Sequence, residues 1–164
     1  MTNITVSDQF ALDDKVLLIT ARREVAAGNT LDVVFEVESD SDYDYFVEIA
    51  NGSAKQSARF MVADNVEYTG GTELSISTSV IDGIDYNGDD VTAVTDITLT
   101  SEDTRYQQEI SGGTGGGNRS AGTGRFTQAL VTAGHNYAAQ VENNSGQANW
   151  CSVNIRLWRI NNDN

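Results

Sequence analysis

Proline is absent from this chain, cysteine and histidine occur once each, and lysine occurs only at Lys15 and Lys55. Cys151 alone can form no intrachain disulfide and cannot build a thiolate metal site. Its place among alternating apolar residues marks a buried, inert thiol. His135 alone leaves a catalytic triad or a histidine-based zinc site short of partners. It follows Gly134 in a turn, where a surface position is expected. Long hydrophobic runs are missing too. Near the N-terminus the longest is Val16-Leu17-Leu18-Ile19, too short for a signal-peptide core or a membrane span, and no basic cluster precedes it. The expectation is a soluble product of the cytoplasm with no membrane partner. For the missing proline the sequence offers no physical reason.

Positive charge is scarce as well. The 164 residues carry 24 acidic and 10 basic side chains, a formal net charge of -14. Such a surface repels itself in dilute buffer. At molar salt the Debye length falls to roughly 3 Å, which screens the repulsion while hydrated carboxylates keep the protein soluble. Acid-rich, lysine-poor composition of this kind resembles that of proteins from extreme halophiles. It also argues against nucleic acid as a partner, because phosphate neutralisation needs a basic surface.

What the chain does have is a period of two. Leu31, Val33, Phe35 and Val37 alternate with more polar neighbours, as do Tyr45, Val47 and Ile49. The same holds for Leu74, Ile76, Thr78 and Val80, for Val91, Ala93, Thr95, Ile97 and Leu99, for Tyr137, Ala139 and Val141, and for Cys151, Val153, Ile155 and Leu157. Each run is read as one buried and one wet face of an antiparallel strand. Ser53 to Ala63 reads either as a helical turn or two or as a loop leading into a strand at Arg59. Turn chemistry falls at Ala27-Gly28-Asn29, Asn51-Gly52-Ser53, Gly70-Gly71-Thr72, Asn87-Gly88-Asp89, Ala133-Gly134-His135 and Asn143-Asn144-Ser145-Gly146. About eight strands at this spacing give an all-β fold, an antiparallel sandwich of jelly-roll type, in a single domain over residues 1–164. Residues 1–14 read as an N-terminal arm, since Val6 to Asp14 has little clear period. Residues 111–124, half of them glycine, read as a flexible loop within the domain.

Few residues invite chemistry. The glycine loop lacks the lysine of a phosphate cradle, and a strand pattern follows it. Asp85, Asn87 and Asp89 stand at alternate positions and make a candidate site for a hard cation, calcium or magnesium. The far bidentate glutamate of a calcium loop is missing there, and a solvated hairpin tip explains the same residues. No other cofactor is expected, and nothing marks an enzyme. Four Asn-x-Ser/Thr triplets, at Asn3, Asn51, Asn118 and Asn143, match turn chemistry. Trp150 and Trp158 lie on the face of the last strand opposite Cys151, Val153, Ile155 and Leu157, and Ile160 extends that side. These three are the interface candidates: a strand apolar on both faces needs a covering loop or another subunit.

The C-terminal third combines a glycine-rich loop, Gly124-Arg125-Phe126, Leu130, Gly134, Tyr137, Val141-Glu142-Asn143-Asn144-Ser145-Gly146 and a closing strand with Trp158. It resembles a group of small virion proteins of tailed bacteriophages and tailed archaeal viruses. Thr69-Gly70-Gly71-Thr72-Glu73-Leu74 is similar to a hairpin in the middle of those proteins, although Ser75-Ile76-Ser77-Thr78-Ser79 stands where they carry an arginine–asparagine run. The resemblance implies a β-sandwich subunit that decorates the capsid or forms a turret, located in the virion and made in the host cytoplasm. Its partners would be the major capsid protein and its own copies in a closed homo-oligomer, a trimer first and a pentamer second. With the salt-adapted composition, the source would be a tailed virus of haloarchaea. The alternative is a carbohydrate- or receptor-binding module of a viral tail or fibre. On the halophile reading, dialysis of the isolated protein to millimolar salt is expected to abolish its near-ultraviolet dichroism or its oligomeric state. A full spectrum retained there removes that reading.

Overall fold

The computed structural model describes residues 16–53, 57–78, 90–110 and 123–161. They form nine strands and no helix: β1 (Val16–Val25), β2 (Thr30–Val37), β3 (Tyr43–Ser53), β4 (Ala58–Glu73), β5 (Ile76–Thr78), β6 (Val91–Ile110), β7 (Thr123–Val131), β8 (Asn136–Asn143) and β9 (Asn149–Asn161). Odd-numbered strands make a five-stranded sheet in the order β5-β1-β9-β3-β7, and even-numbered strands close on themselves as β2-β6-β4-β8. Every connection therefore crosses from one sheet to the other.

The pairs β1·β9, β2·β8, β3·β7 and β4·β6 are all antiparallel. They are the successive rungs of one long ribbon folded back at β5. Rolling that ribbon brings β9 against β3 and β8 against β4. The result is the two-sheet jelly roll, as the alternation and turn spacing predict.

Between the sheets lies the main core, with Leu17 and Ile19 from β1, Phe35 from β2, Ile49 from β3, Phe60 from β4 and Ile155 from β9 all buried. A second, smaller core fills the ring of even strands: Val34, Met61, Ala63, Val66 and Ala138, flanked by Tyr68, Val94, Ile97 and Leu99. This corrects one expectation. Val91 through Leu99 is not a single apolar face. Val91 and Ala93 belong to the main core, whereas Ile97 and Leu99 belong to the ring. Asp96 sits between them with φ of 56°, and that left-handed residue turns the strand so that odd positions change sides. Across the ladder Gly70 and Gly71 also have positive φ, 75° and 134°. Both strands thus bend together, and the register from Tyr68↔Leu99 to Glu73↔Val94 is unbroken. A Cβ on Gly71 would stand 3.3 Å from Ile97 Cγ2, inside the ring. On β4 a register shift between Asp64 and Glu67, with Asn65 at φ of 48°, does the same work.

Two segments expected to be turns are therefore strand. Gly70-Gly71-Thr72 is the bend within β4, and Asn51-Gly52-Ser53 is the end of β3, paired with Val153, Ser152 and Cys151. The apolar run from Leu74 to Val80 yields only the short β5, and Val80 lies outside the described residues. Ser53 to Ala63 contains no helix among its described residues, and β4 begins at Ala58.

Side-chain amides close the ends of the roll. Asn143, fully buried, donates to Val25 O at 2.9 Å and to Gln147 O at 2.8 Å, while its Oδ1 accepts from Ser145 N and Oγ. Asn136 pairs with both backbone groups of Val66 at the bulge, as a neighbouring strand would. At the opposite end Tyr45 OH donates to Asp90 Oδ2 at 2.5 Å, Ser41 Oγ donates to the same oxygen at 2.8 Å, and Arg159 NH2 lies 3.6 Å from Asp90 Oδ1. The Arg159 guanidinium also stacks 4.1 Å from the Tyr43 ring.

Burial first, then the hydrogen bond to Asp90, holds the Tyr45 phenol far above its ordinary pKa. The unfolded chain loses that proton near pH 10 while the folded chain keeps it, so stability is intact below about pH 10 and declines above it. Tyr45→Phe is expected to lower stability at neutral pH by about 1 kcal/mol and to flatten the alkaline decline relative to the wild type. Urea unfolding at neutral and alkaline pH measures both.

Candidate docking face

The second face of the even-stranded sheet is consumed by its own ring. The second face of the odd-stranded sheet is not. Residues of even number on β1, β3 and β9 point outward there, because Leu17, Ile19, Tyr45, Val47, Ile49, Cys151, Val153, Ile155 and Leu157 point in.

Cross-strand register sorts the outer face into rows. Val16 pairs with Trp158, Trp158 with Phe46, and Phe46 with Leu130, which sets four apolar residues in line across β1, β9, β3 and β7. The row spans about 14 Å, three interstrand steps. In the next row Leu18, Arg156 and Glu48 follow one another across β1, β9 and β3. Thr20, Asn154 and Ala50 make a third row. Trp150 lies eight residues from Trp158, about 27 Å along the strand, opposite Glu24. The Arg22 guanidinium sits 5.2 Å from its ring centroid.

Exposure marks this face out. Phe46 is 40%, Trp150 48% and Leu130 52% exposed, and they are the large exposed hydrophobics of the described residues. All three are here. Charge does so as well. Arg23, Arg59, Arg105 and Arg159 are ion-paired with Asp96, Glu142, Asp64 and Asp90. Arg22 and Arg156 make no ion pair among the described residues, and both stand on the outer face of this sheet.

Of the residues singled out from sequence, the structure places Trp150 and Trp158 on one face as expected, the first half-exposed and the second partly buried. They do not touch, being at opposite ends of β9. The backbone of Ile160 pairs with Asp44 at the end of the sheet, and its side chain lies outside what the structure describes. Asp85, Asn87 and Asp89 also lie outside the described residues. Among the described residues no group of three or more His, Cys, Asp and Glu side chains is placed to hold a metal ion. Cys151 is buried and His135 exposed. Asn51 and Asn143, two of the four sequon asparagines, are buried at 1% and 0% exposure and are closed to glycosylation in the folded chain.

The sequence reading missed Phe46 as part of the site. Its signal was available: it is the one large apolar residue on the polar side of the Tyr45, Val47, Ile49 alternation.

No family model matches the chain, and no curated protein does. Among solved structures, a chain in the structure of infectious bursal disease virus, Gx strain, is 13% identical over 87% of this chain and 35% of that chain, with a TM-score of 0.14. This chain thus spans about a third of the length of that one, and a likeness of that size carries no argument.

The two faces of β3 make a direct comparison. Phe46→Ser and Leu130→Ser are each expected to change unfolding free energy by no more than about 0.5–1 kcal/mol. Ile49→Ala, three residues from Phe46 and fully buried, is expected to cost about 2–5 kcal/mol. Denaturant titration of the three variants checks it.

Proposed function

We propose that this chain is a non-enzymatic structural subunit of a virus particle, a capsid decoration or turret protein that binds the shell through the outer face of its five-stranded sheet. One observation carries the reading: Phe46, Leu130 and Trp150, the large exposed apolar side chains among the described residues, share a single sheet face. Phe46 and Leu130 are neighbours in one row and Trp150 lies farther along the same face; exposed apolar surface on an otherwise heavily acidic protein supports a place where another macromolecule sits. Binding there is by shape and burial.

The choice of a virion comes from sequence. The glycine loop, the turn from Asn143 to Gly146 and the tryptophan-bearing β9 form the pattern that resembles small virion proteins. Jelly rolls also serve lectins, so the fold alone does not decide. Closed symmetry with its own copies, a trimer in the first place, would shelter the open edge of β7. The shell partner is the major capsid protein, and the salt-adapted composition suits a virus of haloarchaea.

The experiment uses purified particles. The chain is expected to sediment with intact particles at fixed stoichiometry and to leave when the capsid is destabilised. Phe46→Glu combined with Leu130→Glu is expected to keep the fold, judged by dichroism, and to abolish rebinding to stripped particles. A chain absent from particles that binds glycans or host cells when isolated overturns this reading in favour of the receptor-binding module.

A further inference from the structure

We propose that Asn51-Gly52 on β3 is a self-modification site gated by folding. The unfolded chain deamidates there spontaneously, the completed roll prevents it, and a chain that has reacted does not return to the fold. The proposal concerns the isolated chain and does not rest on the virion reading.

The chemistry needs only two adjacent residues. Asparagine is a thermolabile side chain, and glycine after it has no Cβ to crowd its own nitrogen. In an unfolded chain the Gly52 backbone nitrogen gives up its proton to base and attacks Asn51 Cγ. The new N–Cγ bond closes a succinimide ring, and the Cγ–Nδ2 bond breaks to release ammonia. Water then opens the ring at either carbonyl, leaving an aspartate or an isoaspartyl linkage at position 51. Asparagine followed by glycine occurs twice in the chain, at Asn51-Gly52 and Asn87-Gly88.

The fold takes away each requirement. Asn51 pairs with Val153 of β9 on one side and Gly124 of β7 on the other, and Gly52 pairs with Ser152 and Thr123. Two ladders hold this backbone extended, and ring closure requires the peptide between the two residues to rotate out of both. Asn51 is 1% exposed, which keeps out the base and the water that the reaction uses. A Cβ on Gly52 would stand 2.8 Å from Ser152 Oγ. The close approach of β3 to β9 that favours glycine here therefore also writes the reactive pair into the chain. β9, the last strand, completes its protection.

The same surroundings reject the product. Asn51 Nδ2 donates to Gln140 O on β8 of the facing sheet at 3.5 Å, and Asn51 Oδ1 is buried with no hydrogen-bond partner. A carboxylate only accepts. One of its oxygens would meet the Gln140 carbonyl oxygen, and the other would take the place that already lacks a donor. A buried charge with no partner is strongly disfavoured. The isoaspartyl linkage adds a carbon to the main chain and throws β3 out of register with β7 and β9 together. Time spent unfolded is thus recorded in the chain, and the record is one-way.

The wild-type chain supplies the test. It is held at mildly alkaline pH, either folded in molar salt or unfolded in guanidinium chloride, and peptide masses follow both asparagine–glycine pairs. Asn51 is expected to lose ammonia at the pace of Asn87 in the unfolded chain and to stay intact over the same period in the folded one. After transfer back to molar salt, molecules that regain near-ultraviolet dichroism are expected to carry an intact Asn51, and the modified ones to collect in the fraction that does not refold. Gly52→Ala with Ser152→Ala, which crowds the nitrogen and removes the clash, is expected to keep its refolding yield through an incubation that abolishes it in the wild type. The wild-type measurements stand without that variant should it fail to fold. Deamidation at Asn51 as fast in the folded as in the unfolded chain overturns the proposal. So does a refolded pool in which position 51 is as modified as before refolding.

Discussion

A β-strand has two faces, and a two-layer sandwich buries only one face of each sheet. How the remaining faces are managed sets most of what is particular about this molecule. In the even-stranded sheet the second face is closed by the chain itself. β4 and β6 are long enough to outrun their partners, bend at Asn65 and at Gly71 opposite Asp96, and return β6 to β2. Val34, Met61 and Ala138, which would otherwise face water, become a second core. In the odd-stranded sheet the second face keeps polar rows beside one apolar row. That asymmetry is why the large exposed apolar side chains of the described residues share one sheet face.

The same geometry forces polar groups into places where water is scarce, and the chain meets the demand with short amides and hydroxyls. Asp32 is buried, and its carboxylate accepts from Gln140 Nε2 at 2.6 Å and from the Thr30 hydroxyl. Asn143 uses both ends of its amide to hold the β8–β9 turn against the end of β1. Asn51 is the exception among the described residues: its Oδ1 is buried without a partner, and its Nδ2 reaches Gln140 O only at 3.5 Å. Unsatisfied groups of this kind are few in folded proteins.

The sequence discloses the sandwich because alternation is a property of single strands. Leu31 to Val37 and Cys151 to Leu157 name their inward residues without reference to any neighbour. It does not disclose the bends, because a left-handed residue at Asp96 reverses sides without altering the pattern of apolar letters. For the same reason Gly70-Gly71 and Asn51-Gly52 look like turns. At Gly52 the glycine serves a close approach: a Cβ there would come within 2.8 Å of Ser152 Oγ on the adjoining strand, which would have to move. The two tryptophans on the outer side of β9 are legible by parity alone. The alignment of Trp158 with Phe46 and Leu130 is not, since it depends on β3 lying between β9 and β7, an order that no local pattern encodes.

The ribbon that builds the roll joins the chain's beginning to its end. β9 is the middle strand of its sheet, held between β1 and β3 along nearly its whole length. Until β9 has been synthesised, β1 and β3 lack the strand that joins them, and Ile19 and Ile49 lack the shared neighbour Ile155. Contacts of such long sequence separation make folding slow. A growing chain on the ribosome therefore holds its first strands open until β9 has emerged, and their unpaired edges stay exposed for that time.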